Sequence, residues 1–150
     1  MSDTKISDFE QIIERAVSRL VSVRHENSGS FVTTPSMYPS GGAVVIWIDR
    51  AHPRYFVSDY SFGARECEIM GADKRQFRKH AEPIAEQYGL TLSNDGALEA
   101  LVSEGQIEGA IKAVANASQE IALSYAKWKA NLTENQRQIF EHFDYQFVRW

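Results

Sequence analysis

Cys67 is the single cysteine and lies in Arg65-Glu66-Cys67-Glu68. Two flanking acids raise a thiol's pKa and suppress the thiolate that would attack a substrate, so a buried packing role is the reading adopted for it. His25, His52, His80 and His142 lie far apart, without the short Cys/His separations that build a zinc site. His80 follows Arg78-Lys79 with no adjacent carboxylate to orient it. Asp49, Asp59 and Glu66 fall near expected strand ends, where clustered carboxylates hold hard cations in nuclease sites. Strand-end aspartates more commonly accept turn amides or cap helices. That structural role is preferred, and a metal-dependent nuclease is kept as the weaker alternative. Neither Gly41-Gly42 nor residues 105–109 form a phosphate-binding loop, and the serine elbow, the zinc-protease helix and the EF-hand loop are missing. No metal or cofactor is expected, and an enzyme is disfavoured.

Two groups of residues are better suited to binding. Lys74, Arg75, Arg78 and Lys79, followed by His80, form the concentrated basic patch of the chain. On a helix, Lys74 and Arg78 are neighbours, as are Arg75 and Lys79, which makes a strip able to meet phosphates or an acidic protein surface. A solvated helix face is the plainer account of the same spacing. The second group is Phe140, Phe143, Tyr145, Phe147, Arg149 and Trp150, an aromatic and arginine mix enriched at protein interfaces. Core packing is its default reading, and docking onto another chain, foreign or a second copy, is its functional one.

The surrounding elements follow from periodicity. Phe9, Ile12, Ile13, Ala16, Val17, Leu20 and Val21 recur at helical spacing behind a Ser7/Glu10 capping box, predicting a helix that ends within residues 25–30. Strands are predicted at 31–35, stopped by Pro35, at 43–48 and at 54–59. The second of these is apolar on both faces and reads as a central strand covered on both sides. Short helices are expected at 64–70 and 97–102, and a helix after Asp73 that kinks or restarts at Pro83. The long stripe Ile107, Ala110, Ile111, Val114, Ala117, Ile121, Tyr125 and Trp128 predicts one helix over 106–129. Alanines beside it permit close approach of a neighbouring backbone, within the chain or in a dimer.

At 150 residues one folding unit is expected: a single α+β domain with an N-terminal helix and a three-stranded antiparallel meander at 31–59. A mainly helical half at 62–130 covers the sheet, and an aromatic segment follows at 133–150. A formal charge of −4 disfavours phosphate backbones as partners. The longest apolar run, 43–48, is strand-sized, and the N-terminus lacks a leader's basic and apolar regions, so a cytoplasmic protein with no membrane partner is expected.

Thr34-Pro35, then Gly42 with Val44, Ile46 and Ile48, then Val57-Ser58-Asp59 and Gly63 follow one another in a recognisable order. This order resembles an uncharacterised prokaryotic domain family, frequent in phages and mobile elements, whose strands end in a Leu-Ser-Asp-x-Gly motif. The present chain departs from it by carrying Tyr60-Ser61-Phe62 before the glycine. The resemblance implies an α+β fold and a phage or mobile-element setting. Together with the missing catalytic motifs, it points to a non-enzymatic protein-interaction module, such as an inhibitor of a host defence complex of the anti-CRISPR type. A small nucleic-acid-binding regulator using the 74–80 strip is the alternative.

Overall fold

A computed structural model describes residues 2–132 together with Gln136, Gln138 and Ile139, with side chains from Asp8 onward. Its centre is a six-stranded antiparallel sheet rather than a three-stranded meander. The strands are β1 (Ser22–His25), β2 (Ser30–Met37), β3 (Ala43–Ala51), β4 (Arg54–Ser58), β5 (Thr91–Leu92) and β6 (Leu98–Val102), in the order β1-β2-β3-β4-β6-β5. The helices are α1 (Ser2–Ser18), α2 (Phe62–Ile69), α3 (Lys74–Gln87) and α4 (Ile107–Ala130).

Three corrections explain the larger sheet. The helical stripe predicted through Val21 breaks at Ser18, and the next residues pair with β2 from Ser22↔Thr33 to His25↔Ser30. Residues 97–102, rich in helix-forming Ala, Leu and Glu, form β6 instead. There β4 and β5 supply ladder partners on both sides, and the tertiary pairing overrides local propensity. Pro35 does not end β2. The register slips between Thr33 and Met37, so the proline, which has no N–H to give, sits in a bulge. The Thr34 hydroxyl donates to the Val44 carbonyl there at 2.7 Å, replacing the lost ladder contact.

Pro83 likewise does not restart α3, which is continuous. It opens on a capping box in which Asp73 and Gln76 satisfy each other's backbone N–H groups. Phe77, Ala81 and Ala85 then bury one face, which offsets the single missing helical hydrogen bond.

Alternation along the strands separates the two faces of the sheet. Val32, Val44, Ile46, Val57 and Leu98 share a buried core with Val114, Ala117 and Ile121 of α4. The alanines at 110, 115, 117 and 122 are buried, so the small side of α4 is used within the chain. The opposite sheet face carries Phe31, Val45, Trp47, Phe56 and Leu101, and among the described residues no helix packs over it. The central strand β3 is therefore covered by helices on one side. No helix among the described residues is long and apolar enough to cross a membrane.

Candidate protein-binding face

The uncovered face is organised by the residues that end β4. Asp59 is buried, and its carboxylate accepts four hydrogen bonds. One oxygen takes the amides of Ser61 and Leu98, each at 3.0 Å. The other takes the Gly63 amide at 3.3 Å and the Ser118 hydroxyl at 2.8 Å. Ser118 has one proton and gives it to Asp59, so the Tyr38 hydroxyl must donate to Ser118, at 2.8 Å. Burial pushes the Asp59 carboxyl above its ordinary pKa, and these donors oppose that shift. Burial also raises the Tyr38 phenol, against its bond to Ser118.

Gly63 is dictated by this cluster. A Cβ there would stand 2.5 Å from the Ser118 hydroxyl and 3.0 Å from the Asp59 carboxylate. With its lone pairs taken by four donors, the Asp59 carboxylate acts as a structural latch, the turn-amide role its strand-end position suggested. Among the described residues no three His, Cys, Asp or Glu side chains come together in a way that could hold a metal ion.

The latch forces the next two residues into the left-handed region, Tyr60 at φ 56° and Ser61 at φ 63°. Such a conformation costs roughly 1–2 kcal/mol for a residue with a side chain and persists only where its surroundings hold it. Its result is to throw the Tyr60 ring onto the uncovered face. There it meets Phe31 edge-on at 5.8 Å, Trp47 at 5.8 Å and Phe62 at 5.7 Å, while Phe31 and Trp47 lie 4.6 Å apart. Trp47 reaches back over Gly29, where an added Cβ would fall 2.6 Å from the indole ring. The Arg24 guanidinium lies 5.1 Å from the centre of the Phe31 ring and Arg65 lies 5.9 Å from that of Phe62. Arg24 is also paired with Glu26 at 3.1 Å.

Trp47 is buried, at 9% exposed, and Phe31 and Phe62 are half-buried, while Tyr60 remains 55% exposed and Leu101 51%, so the apolar surface this face presents to water is chiefly theirs. Beside it a groove of about 390 Å³ is lined by Ser22, Arg24, Phe31, Thr33, Val45 and Phe62. A second, polar depression of about 530 Å³ brings His25, Ser30, Asp49, Arg50 and Tyr55 together. In it His25 Nδ1 pairs with the Ser30 hydroxyl at 2.7 Å, while Asp49 accepts the Arg50 amide.

The residues singled out from sequence lie elsewhere. Lys74, Arg75, Arg78 and Lys79 are on α3, on the helical side of the sheet. Arg78 is occupied, bonded to Glu82 at 3.0 Å and to the Ser93 carbonyl at 2.9 Å, which ties α3 to the turn before β6. Phe140, Phe143, Tyr145, Phe147, Arg149 and Trp150 lie outside the described residues. Cys67 is fully buried, its thiol pushed up to about 12 by burial and then by Glu66 and Asp59. His80 packs against Tyr125 and Trp128, each 5.6 Å away, and its Nδ1 pairs with the Ser124 hydroxyl at 2.9 Å.

Sequence reasoning missed the aromatic face. Its signal was the alternation that sets Phe31 and Trp47 opposite the core residues Val32 and Ile46. Comparison with protein-family models, curated proteins and solved structures finds no match to this chain.

Proposed function

We propose that the chain is a non-enzymatic protein-interaction module whose binding surface is the uncovered sheet face around Phe31, Trp47, Tyr60 and Phe62. The single observation that carries this reading is Tyr60, a large ring held half in water by a strained backbone and a four-donor latch beneath it. Exposed apolar surface gains roughly 25 cal/mol per Å² when covered, and aromatic rings flanked by arginine are the residues that dominate protein interfaces. A metal-nuclease role for Asp59 is disfavoured by the four donors that take its lone pairs.

The test compares wild-type protein with Tyr60→Asp, Leu101→Asp and Arg75→Glu/Lys79→Glu variants as baits in a bacterial lysate. Loss of captured protein with either face variant, and retention with the α3 variant, is the expected pattern. Salt-dependent DNA binding lost only in the α3 variant would favour the nucleic-acid regulator instead. Magnesium-dependent cleavage by the pure protein would overturn the non-enzymatic reading.

A further inference from the structure

We infer that the uncovered sheet face of one chain receives α1 of a second copy, in a reciprocal exchange about a twofold axis. This rests on the reading of that face as a protein-binding surface and names its occupant. The motivating observation is a second unpartnered apolar surface on the same molecule. Phe9 is 64% exposed, Ile12 60%, Val17 58% and Leu20 54%, and with Ile13 they form one stripe along α1 and its closing turn. A helix of 17 residues without tertiary cover is only marginally stable in water, so α1 needs a surface to lie on.

The dimensions fit. The face spans five strands from β1 to β6, about 19 Å at the usual strand spacing of ~4.8 Å, and α1 is about 25 Å long at ~1.5 Å per residue. One border of the stripe is acidic, with Glu10 and Glu14, and can meet Arg65 beside the Phe62 ring; the other carries Asp8 and Arg15, and Arg24 is already paired with Glu26.

The chain's own α1 is poorly placed to do this. Arg19 and Leu20 are held in the closing turn by hydrogen bonds to Ala16 and Val17, at 3.2 and 3.0 Å, which leaves Val21 as the only free link before β1. In the structure α1 lies off its own sheet face, with Phe9, Ile12 and Val17 more than half exposed. A second copy has no such tether. Two reciprocal helix-on-sheet contacts are also the symmetry of most homodimers.

Light scattering of the purified full chain across a concentration series tests the inference. The expected mass is twice that of the chain, with α1 amides protected from hydrogen exchange where the dimer forms and exposed on dilution. Ile12→Glu/Val17→Glu and Tyr60→Asp/Leu101→Asp variants should each be monomeric and still unfold cooperatively in urea. Mixing the two should restore a dimer at higher concentration, because the intact helix of one meets the intact face of the other. A wild-type chain that stays monomeric at every concentration, with α1 amides unprotected throughout, overturns the inference. If the face variants still lose capture of a foreign protein, the broader reading survives. A dimer abolished by the helix variant but indifferent to the face variant shows α1 packing on α1, and also overturns the inference.

Discussion

The Ser118 hydroxyl on α4 donates to the Asp59 carboxylate at the end of β4 over 2.8 Å, joining two buried groups that are 59 residues apart in the chain. Through Tyr38 the same hydroxyl reaches the end of β2. One short polar chain thus clamps β2, β4 and α4 within an otherwise apolar core.

Removing the acceptor leaves three buried donors, on Gly63, Leu98 and Ser118, and the half-buried Ser61 amide without a partner. Asp59→Ala should cost about 3 kcal/mol or more, since each orphaned buried donor costs roughly 1–3 kcal/mol. Asp59→Asn keeps the shape but turns an N–H toward donors, and should cost nearly as much. Urea denaturation measures both, and a loss below about 1 kcal/mol for the alanine variant would contradict the latch.

Backbone strain and surface function should separate at the adjoining pair. Ser61→Gly relieves a left-handed residue whose side chain makes one long bond, to the Asp95 carbonyl at 3.3 Å. It should raise stability by up to about 1 kcal/mol. Tyr60→Gly gains the same relief but loses the ring contacts, so its stability should change by less than about 1 kcal/mol while partner capture falls. Thermal melts beside a binding assay compare the two.

How legible these features are in the sequence depends on how local their causes are. The stripe of α4 and the strand of 43–48 are repeated patterns within one segment, and both elements form, although helices cover that strand on one face and not on the two its apolar run suggested. Residues 97–102 become a strand only because β4 lies beside them, and β1, Ser22–His25, follows directly on an apolar stripe that looks helical through Val21. Asp59 reads correctly as an acceptor of turn amides, since Ser61 and Gly63 are two and four residues away. Its bonds to Leu98 and Ser118 come from folding together distant segments, and nothing in the neighbourhood of any one residue announces them.

Cys67 should be inert in the native protein. Its thiol is fully buried and pushed up to about 12, so almost no thiolate is present at neutral pH. Alkylation by iodoacetamide should proceed only as fast as the protein opens and become rapid in urea. Rapid labelling of the native state, followed by mass spectrometry, would show otherwise.

Histidine 80 supplies a pH dependence with a definite sign. Burial, then the neighbouring Lys79, lowers its pKa, so the folded protein binds this proton less readily than the unfolded chain. The corresponding stability is fully present above the ordinary histidine value of about 6.5 and is lost as pH falls through the lowered one. Urea midpoints for wild type should therefore decline as the pH falls below about 6.5. His80→Phe, which keeps an aromatic ring against Tyr125 and Trp128, should flatten that decline.

The two margins of the sheet are unequal: β5 has two residues, whereas β1 has four, all exposed to water. A two-residue margin offers too few unpaired backbone groups to template a foreign strand, and the β1 margin offers a full row. Edge-to-edge pairing of this protein, if provoked by partial denaturation, should accordingly join β1 to β1 and end at two copies, and a proline placed within β1 should stop it.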